Sequence, residues 1–294
     1  PDFNKKYYDS NDMVCTISKV TDDIVRTVSP GVKCIRIPHS VDTEIFCKKD
    51  DQIRENFRSQ ICKEHEGKTI FFWNNRNARR KQSGSLIFWF KDFLEKVGND
   101  KAILVMHTEP KDPNGQDLVA IMEKLNLTNG EVVLSTNKLH ADDLAKLYSA
   151  VDCTINISDA EGFGLATLES LAAETPIIVN MTGGLQEQVT NGKEWFGIGL
   201  QPDSKAIIGS QDVPYIYEDR LDGTQVVEAM ERFLNLSEEE RSKMGSLGRE
   251  HVLQNYGFAQ YSGLWYQSFQ EIFNDCGSWE NRKNYKNWSF KELQ

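Results

Sequence analysis

The stretch that most narrows what this chain can fold into is Ser158 to Glu187, SDAEGFGLATLESLAAETPIIVNMTGGLQE. An apolar run from Asp152 to Ile157 precedes it and reads as a short buried strand. A loop with two glycines follows, then a helix opening near Ala166, a second strand from Pro176 to Asn180, and a tight turn at Gly183-Gly184. Strand, glycine loop, helix and strand make a βαβ unit of an open parallel sheet, and such sheets bind ligands beyond the carboxyl ends of their strands. The loop Glu161 to Gly164 lies at one of those ends. Backbone N–H groups and a helix N-terminus there suit an anion or a sugar hydroxyl.

Glu161, in the loop, and Glu169, about one turn into the helix, can both accept hydrogen bonds from the hydroxyl pairs of a sugar or ribose. Each also has a purely local explanation. Ser158-x-x-Glu161 fits a capping box, and the helix dipole alone favours an acid at Glu169. The second loop, Thr182 to Glu187, weighs towards a site, because two glycine loops at successive strand ends converge on one cleft.

The 294 residues, 39% hydrophobic and 10% aromatic, suffice for one large or two modest domains. A formal net charge of -10 argues against nucleic acid as a partner, which needs a basic face. The basic exception is Asn74 to Ser83, NNRNARRKQS, with Arg76, Arg79, Arg80 and Lys81 at the mouth of a strand. Such a run is either a solvated turn or a diphosphate clamp, with Arg forking onto phosphate oxygens and Lys acting as a point charge. The six cysteines form no C-x-x-C pair and the histidines do not cluster, so no metal site is expected. Cys15, Cys34 and Cys153 fall in strand-like runs and read as buried thiols. With no leader and no apolar run of about 18 residues, the expectation is a reduced, cytoplasmic, soluble protein without a transmembrane segment. A start at Pro1 leaves room for an upstream segment.

Taken in order, residues 1–12 read as a lead-in, Met13 to Ser18 as a strand, Lys19 to Val28 as a helix stopped by Pro30-Gly31, and Lys33 to Pro38 as a strand. Glu55 to His65 suits a charged helix, and Lys68 to Trp73 a central strand by its aromatic and β-branched content. Helices at Leu86 to Val97, Asp117 to Leu125 and Ala141 to Val151 alternate with strands at Ala102 to His107 and Glu131 to Ser135. His107 reads as a satisfied strand-end residue. Asn191 to Arg220 lacks a period and reads as an extended strand or loop region, FGIGLQP then VPYIYEDR. A helix over Val226 to Leu234 follows, and Ser237-x-x-Glu240 opens another to about Gln254. Phe258 to Phe273 reads as a long helix with its aromatics turned mostly to the core, before a tail with Trp279, Tyr285, Trp288 and Phe290.

EGFGLATLESLAAETPIIV followed by TGGLQEQV resembles the donor-binding signature of retaining GT-B glycosyltransferases of the group 1 type. Glu161 and Glu169 have the family's spacing and Pro176 is kept, but Glu174-Thr175 stands where the family has Gly-x. HSVDTEIF is similar to the family's interdomain hinge through Pro38, Val41, Asp42 and Phe46, with Ser40 in place of glycine. Arg76 and Lys81 are five apart, as in the family's basic loop, with Asn75 and Gln82 at its glycine positions.

The resemblance implies an α/β fold of GT-B type, with Rossmann-like parallel sheets flanked by helices. Residues 1–46 would be the end of an acceptor-side N-terminal domain and hinge, 47–273 the nucleotide-sugar domain, and 274–294 a tail crossing back to the N-terminal side. It implies transfer of a sugar from a nucleoside-diphosphate sugar to an unknown glycan, lipid or small molecule, with retention and with neither metal nor cofactor; no D-x-D triplet occurs. Arg76 and Lys81 would stabilise the diphosphate. Glu161 and the N–H groups of Gly162, Phe163, Gly164 and Leu165 would hold the donor sugar, Glu169 the ribose, and the backbone near Leu139 the base. A nucleotide-sugar-binding module without activity of its own is the second reading. An epimerase or phosphorylase on the same fold is the third.

Overall fold

The computed structural model describes residues 2–61 and 67–283. A short helix α1 (Lys5–Asp9) leads into β1 (Met13–Thr16), α2 (Lys19–Val28) and β2 (Lys33–Arg36). β1 and β2 pair in parallel, Met13 opposite Lys33, as a separate two-stranded sheet. Ser18 starts α2 by accepting the N–H of Thr21. In the connector that follows, Asp42 Oδ1 accepts the N–H groups of Glu44 and Ile45 at 3.0 and 3.1 Å, and Val41 and Phe46 are buried.

The larger unit runs α3 (Asp51–Ile61), β3 (Thr69–Asn74), α4 (Ser83–Val97), β4 (Ala102–His107), α5 (Leu118–Lys124), β5 (Val132–Ser135), α6 (Ala141–Ala150), β6 (Cys153–Asn156), α7 (Leu165–Ala172) and β7 (Ile177–Asn180). It continues through α8 (Leu185–Val189), β8 (Gly197–Leu200), β9 (Ser204–Ile207), β10 (Tyr217–Arg220), α9 (Gly223–Leu234), α10 (Glu238–Asn255) and α11 (Phe258–Cys276). Six strands form one parallel sheet in the order β5-β4-β3-β6-β7-β8. This is the expected α/β, Rossmann-like arrangement. β3 and β6 are neighbours in space though far apart in sequence, so the basic run after β3 and the glycine loop after β6 emerge side by side.

The strands are near-continuous apolar runs because helices cover both faces. Alternation sends Phe71 and Trp73 of β3 to one core with Phe90, Phe93 and Phe233. Ile70 and Phe72 go to the opposite core with Tyr148, Leu168 and Val252. Ser237 and Glu240 make a complete capping box at the start of α10.

Several expectations need correction. The strand-or-loop reading of residues 191–220 holds and gains detail: β8 joins the main sheet, and β9 and β10 form an antiparallel hairpin. The lead-in contains α1, and α8 follows the Gly183-Gly184 turn. Cys153 and Cys34 are buried, whereas Cys15 is only half-buried, on the outer two-stranded sheet. The largest correction concerns α11, where Ser268 is the buried residue while Tyr266, Phe269 and Phe273 are exposed. The helix lies along the outside, and its charged end meets the N-terminal strands. Lys33 of β2 reaches Glu271 at 3.2 Å and Asp275 at 3.1 Å, and Arg282 pairs with Asp12. Trp279 is exposed; Tyr285, Trp288 and Phe290 lie outside the described residues, as does the stretch 62–66 at the end of the expected Glu55 to His65 helix.

Candidate functional site

The two glycine loops converge beyond β6 and β7. Gly164 precedes α7 with φ +95, in the left-handed region that glycine adopts without cost. At Gly183 a Cβ would stand 1.6 Å from the carbonyl oxygen of Glu161, so only glycine lets the loops pass this close. The N–H of Gly184 donates to that same carbonyl at 3.3 Å. Beneath them Phe163 is buried, and its carbonyl accepts Gln188 Nε2 at 2.8 Å. Gly162 and Leu165 remain exposed. Ser158 does not cap α7; its hydroxyl donates to Asn156 Oδ1 at 2.5 Å, six residues ahead of Gly164, which removes the capping-box explanation of Glu161.

The basic loop is shaped by buried Asn77. Its Nδ2 donates to the carbonyl of Gln116 at 2.7 Å, and its Oδ1 accepts the Ser83 hydroxyl at 2.7 Å. A single 3-10 turn over Arg79–Lys81 then divides the four cations. Lys81, 8% exposed, turns inward and contacts the Glu161 carboxylate directly. Burial pushes its ammonium pKa down while Glu161 draws it back up. Arg79 makes a fork on Glu218 at 2.6 and 3.0 Å. Arg80, exposed, donates from Nη1 to the carbonyl of Ala160 at 2.7 Å.

Arg76 goes elsewhere. Its Nε and Nη2 hold Asp112 at 2.7 and 3.2 Å, and this guanidinium, with the N–H of Asn114, lowers the Asp112 pKa to about 2. Sequence spacing made Arg76 and Lys81 one clamp. Here Lys81 meets Glu161, and Arg76 is turned to the loop after β4.

Glu169 sits on the inner side of α7. Tyr148, fully buried on α6, donates its hydroxyl to Glu169 Oε2 at 3.0 Å and accepts from Asn74 Nδ2 at 2.9 Å. Burial raises the Glu169 pKa to about 7, against the lowering effect of the Tyr148 hydrogen bond. Leu139 is half-buried against the same core. His107 Nδ1 is 2.9 Å from Ser135 Oγ, a satisfied strand-end residue.

An open hollow of about 710 Å³ lies beside the converging loops, between them and α2. Glu161, Gly162, Gly183, Arg80, Ile24 and Tyr217 are among the residues lining it. Tyr217, together with Lys205 and Asp219 at the same hollow, belongs to the β9–β10 hairpin and was absent from the sequence-derived site. No local motif marks them, since their place is set by where the hairpin docks. Among the described residues, no three His, Cys, Asp or Glu side chains gather as a metal would require, and no helix is long and apolar enough to cross a membrane.

The family model described as "Glycosyl transferases group 1" matches residues 54–251. The chain belongs to this family. It is 28% identical over 189 residues to an uncharacterised glycosyltransferase of Methanocaldococcus jannaschii, covering 64% of this chain and 44% of the relative. It is 26% identical over 221 residues to a mannosylfructose-phosphate synthase of Agrobacterium fabrum, covering 74% of this chain and 47% of the relative. The chain thus spans less than half the length of either. Among solved structures, a sucrose-phosphate synthase from Thermosynechococcus elongatus superposes with a TM-score of 0.73 at 21% identity, over 92% of this chain and 61% of that one. Anabaena HepE, in complex with UDP and glucose, superposes with a TM-score of 0.70 at 13% identity, over 92% of this chain and 67% of that one.

Two departures from the group 1 pattern are resolved by the backbone. Gln82 and Glu174 stand where the family has glycine, yet both keep the left-handed conformation, at φ 57 and φ 62. Side-chain bonds accompany the strain at Gln82: its Nε2 donates to Asp159 Oδ2, and its Oε1 accepts the Ser85 hydroxyl, both at 2.6 Å.

Proposed function

We propose that this chain binds a nucleoside-diphosphate sugar and takes part in transferring the sugar to an acceptor with retention at the anomeric carbon, without a metal. The observation that carries this reading is the contact between Lys81 and Glu161 where the two glycine loops converge. A buried ammonium beside exposed backbone N–H groups meets the charge that develops on a leaving diphosphate. Glu161, its charge balanced by Lys81, accepts hydroxyls of the donor sugar, with the backbone of Gly162 to Leu165 beside it. Glu169 accepts the ribose hydroxyls, and the base lies near Leu139. Arg76, itself exposed, joins the diphosphate on leaving Asp112. We place the reaction in the cytoplasm, a reading supported by the free thiols at Cys15, Cys34, Cys47, Cys153 and Cys276.

Calorimetric titration with UDP, GDP and ADP is expected to show binding of one of them, reduced at least tenfold by Lys81→Ala, the loss of a charged hydrogen bond. Lack of binding by all three, or unchanged affinity in Lys81→Ala, removes the donor site. Retention is read from the anomeric configuration of the product by NMR, and metal independence from full activity in EDTA. The alternative is a donor-binding module inactive by itself. Tight nucleotide binding with no transfer and no donor hydrolysis would select it.

A further inference from the structure

We infer that Arg80 and the β9–β10 hairpin form a subsite for an anionic group carried by the acceptor, on the sugar side of the cleft. The inference rests on the donor reading above and adds the chemical class of the second substrate.

Position comes first. The hollow is lined by Glu161 and Gly162, which meet the sugar end of the donor, but not by Glu169 or Leu139, which mark its nucleoside end. A molecule in this space therefore lies past the sugar, where an acceptor must approach. α2 closes the far side with Val20 and Ile24, and exposed Tyr217 offers an apolar face for a sugar ring.

The hairpin is rigidly rooted. Glu218, 2% exposed, is held by Arg79 and by Arg220 at 2.7 Å, and Arg220 also reaches Asp159 at 2.7 Å. Asn180 Nδ2 donates to the Asp219 carbonyl at 3.0 Å, and the N–H of Asp219 donates to the Asp159 carbonyl at 2.8 Å. Ionic and backbone contacts thus tie β10 to the ends of β6 and β7, while Tyr217 and Lys205, the latter 4.0 Å from Asp219, stay exposed at the hollow.

Charge then selects the ligand. Of the acids facing the hollow, Glu161 is matched by Lys81. Asp219 accepts the Thr182 hydroxyl at 2.7 Å and has Lys205 Nζ at 4.0 Å. Arg80 has a carbonyl partner and, among the described residues, no carboxylate. One guanidinium is left over in the wall of a cavity, in a chain whose formal net charge is -10. A guanidinium fork matches the oxygens of a phosphate or carboxylate. Arg80 lies in the basic run read as a diphosphate clamp, but it is neither of the two residues, Arg76 and Lys81, assigned to the diphosphate, and it lines the hollow.

The test uses this chain saturated with whichever of UDP, GDP or ADP it binds. Glucose 6-phosphate, glucuronate and glucose are then titrated by calorimetry into the chain and into Arg80→Gln/Lys205→Gln; both side chains are exposed, and Lys205→Gln alone serves as a milder variant. At least one of the two anionic sugars is expected to bind tenfold or more tighter than glucose. The preferred one assigns phosphate or carboxylate. The double variant should erase that preference and Lys205→Gln reduce it about threefold, with nucleotide affinity within twofold of the parent. Equal binding of glucose and both anions overturns the inference. So does a parallel loss of nucleotide affinity, which would hand Arg80 to the donor diphosphate. Failure of all three nucleotides to bind at the outset sinks the donor reading itself, a result distinct from either.

Discussion

Glu161 and Glu169 belong to one short segment and share a residue type, yet their surroundings set them apart. Glu161 is balanced by a cation 80 residues away in sequence, Lys81, brought alongside because β3 and β6 are neighbours. Among the described residues Glu169 has no cation; its partner is the Tyr148 hydroxyl, and burial raises its pKa to about 7. One acid is ion-paired at the cleft. The other exchanges its proton near neutrality, alternating between accepting two hydroxyls and donating to one. The spacing that makes them look like a pair is local, while the chemistry that separates them comes from β3 and α6.

The sharpest way to break the contrast is to remove the cation. Lys81→Met leaves the Glu161 carboxylate, 13% exposed, without its counter-charge. The expected loss is about 3 kcal/mol in urea unfolding, the lower end for an orphaned buried charge. Adding Glu161→Gln should recover most of it. A loss below about 1 kcal/mol would mean that water reaches Glu161 freely and the pairing matters little.

Glu169→Gln tests the other half. In the folded protein Glu169 keeps its proton up to about pH 7, whereas unfolded it releases it near its ordinary value of 4.5. Between those values the folded state binds more protons, so this group makes stability fall as pH rises through the window and level off above it. Glutamine removes the fall and keeps an oxygen for Tyr148. Above pH 7 the variant should be more stable by up to about 3.5 kcal/mol, at roughly 1.4 kcal/mol per unit between 4.5 and 7. Nucleotide binding by the parent should weaken as pH drops below 7. A variant with the same pH–stability profile as the parent would show that Glu169 is hydrated and titrates normally.

Parts of this arrangement were legible in the chain. β4 from Ala102 to His107 and α2 from Lys19 to Val28 have the ends that apolar runs, Pro30 and Gly31 suggest, and the Ser237–Glu240 box forms as read. Those features depend on neighbours in sequence. The aromatics of α11 do not, because a helical period says which side chains share a face and not whether anything covers it. Directions within the basic loop were likewise hidden. Four cations in six positions show charge, but buried Asn77 and the left-handed turn at Gln82 decide that Lys81 points in, Arg80 to the hollow, and Arg76 away.

Arg76 offers a smaller test, since it stands outside the Glu161 environment until a diphosphate draws it in. Arg76→Ala is expected to weaken nucleotide binding roughly tenfold, less than the removal of Lys81, because breaking the Asp112 pair offsets part of the gain. Asp112→Ala should tighten binding by up to about threefold. If Arg76→Ala leaves affinity unchanged while Lys81→Ala abolishes it, the cleft relies on the buried cation alone.

The third glutamate of the segment supplies the weakest perturbation and a control for the other two. Glu174 follows α7 with φ 62, and its carboxylate has Lys48 at 3.3 Å and the Ser246 hydroxyl at 3.5 Å. Glu174→Gly relieves a left-handed conformation that costs an ordinary residue roughly 1–2 kcal/mol. Against this stand the greater freedom of glycine in the unfolded chain, about 0.4–1 kcal/mol, and a partly exposed ion pair worth about 0–1 kcal/mol. The opposing contributions nearly cancel, so unfolding should shift by no more than about 0.5 kcal/mol and nucleotide affinity should not move. A destabilisation above about 1 kcal/mol would reveal that Lys48 anchors the α7–β7 turn through this side chain. Any change in nucleotide affinity would mean that strain at Glu174 is transmitted along α7 to Glu169, and the two acids could no longer be treated as electrostatically independent of the turn behind them.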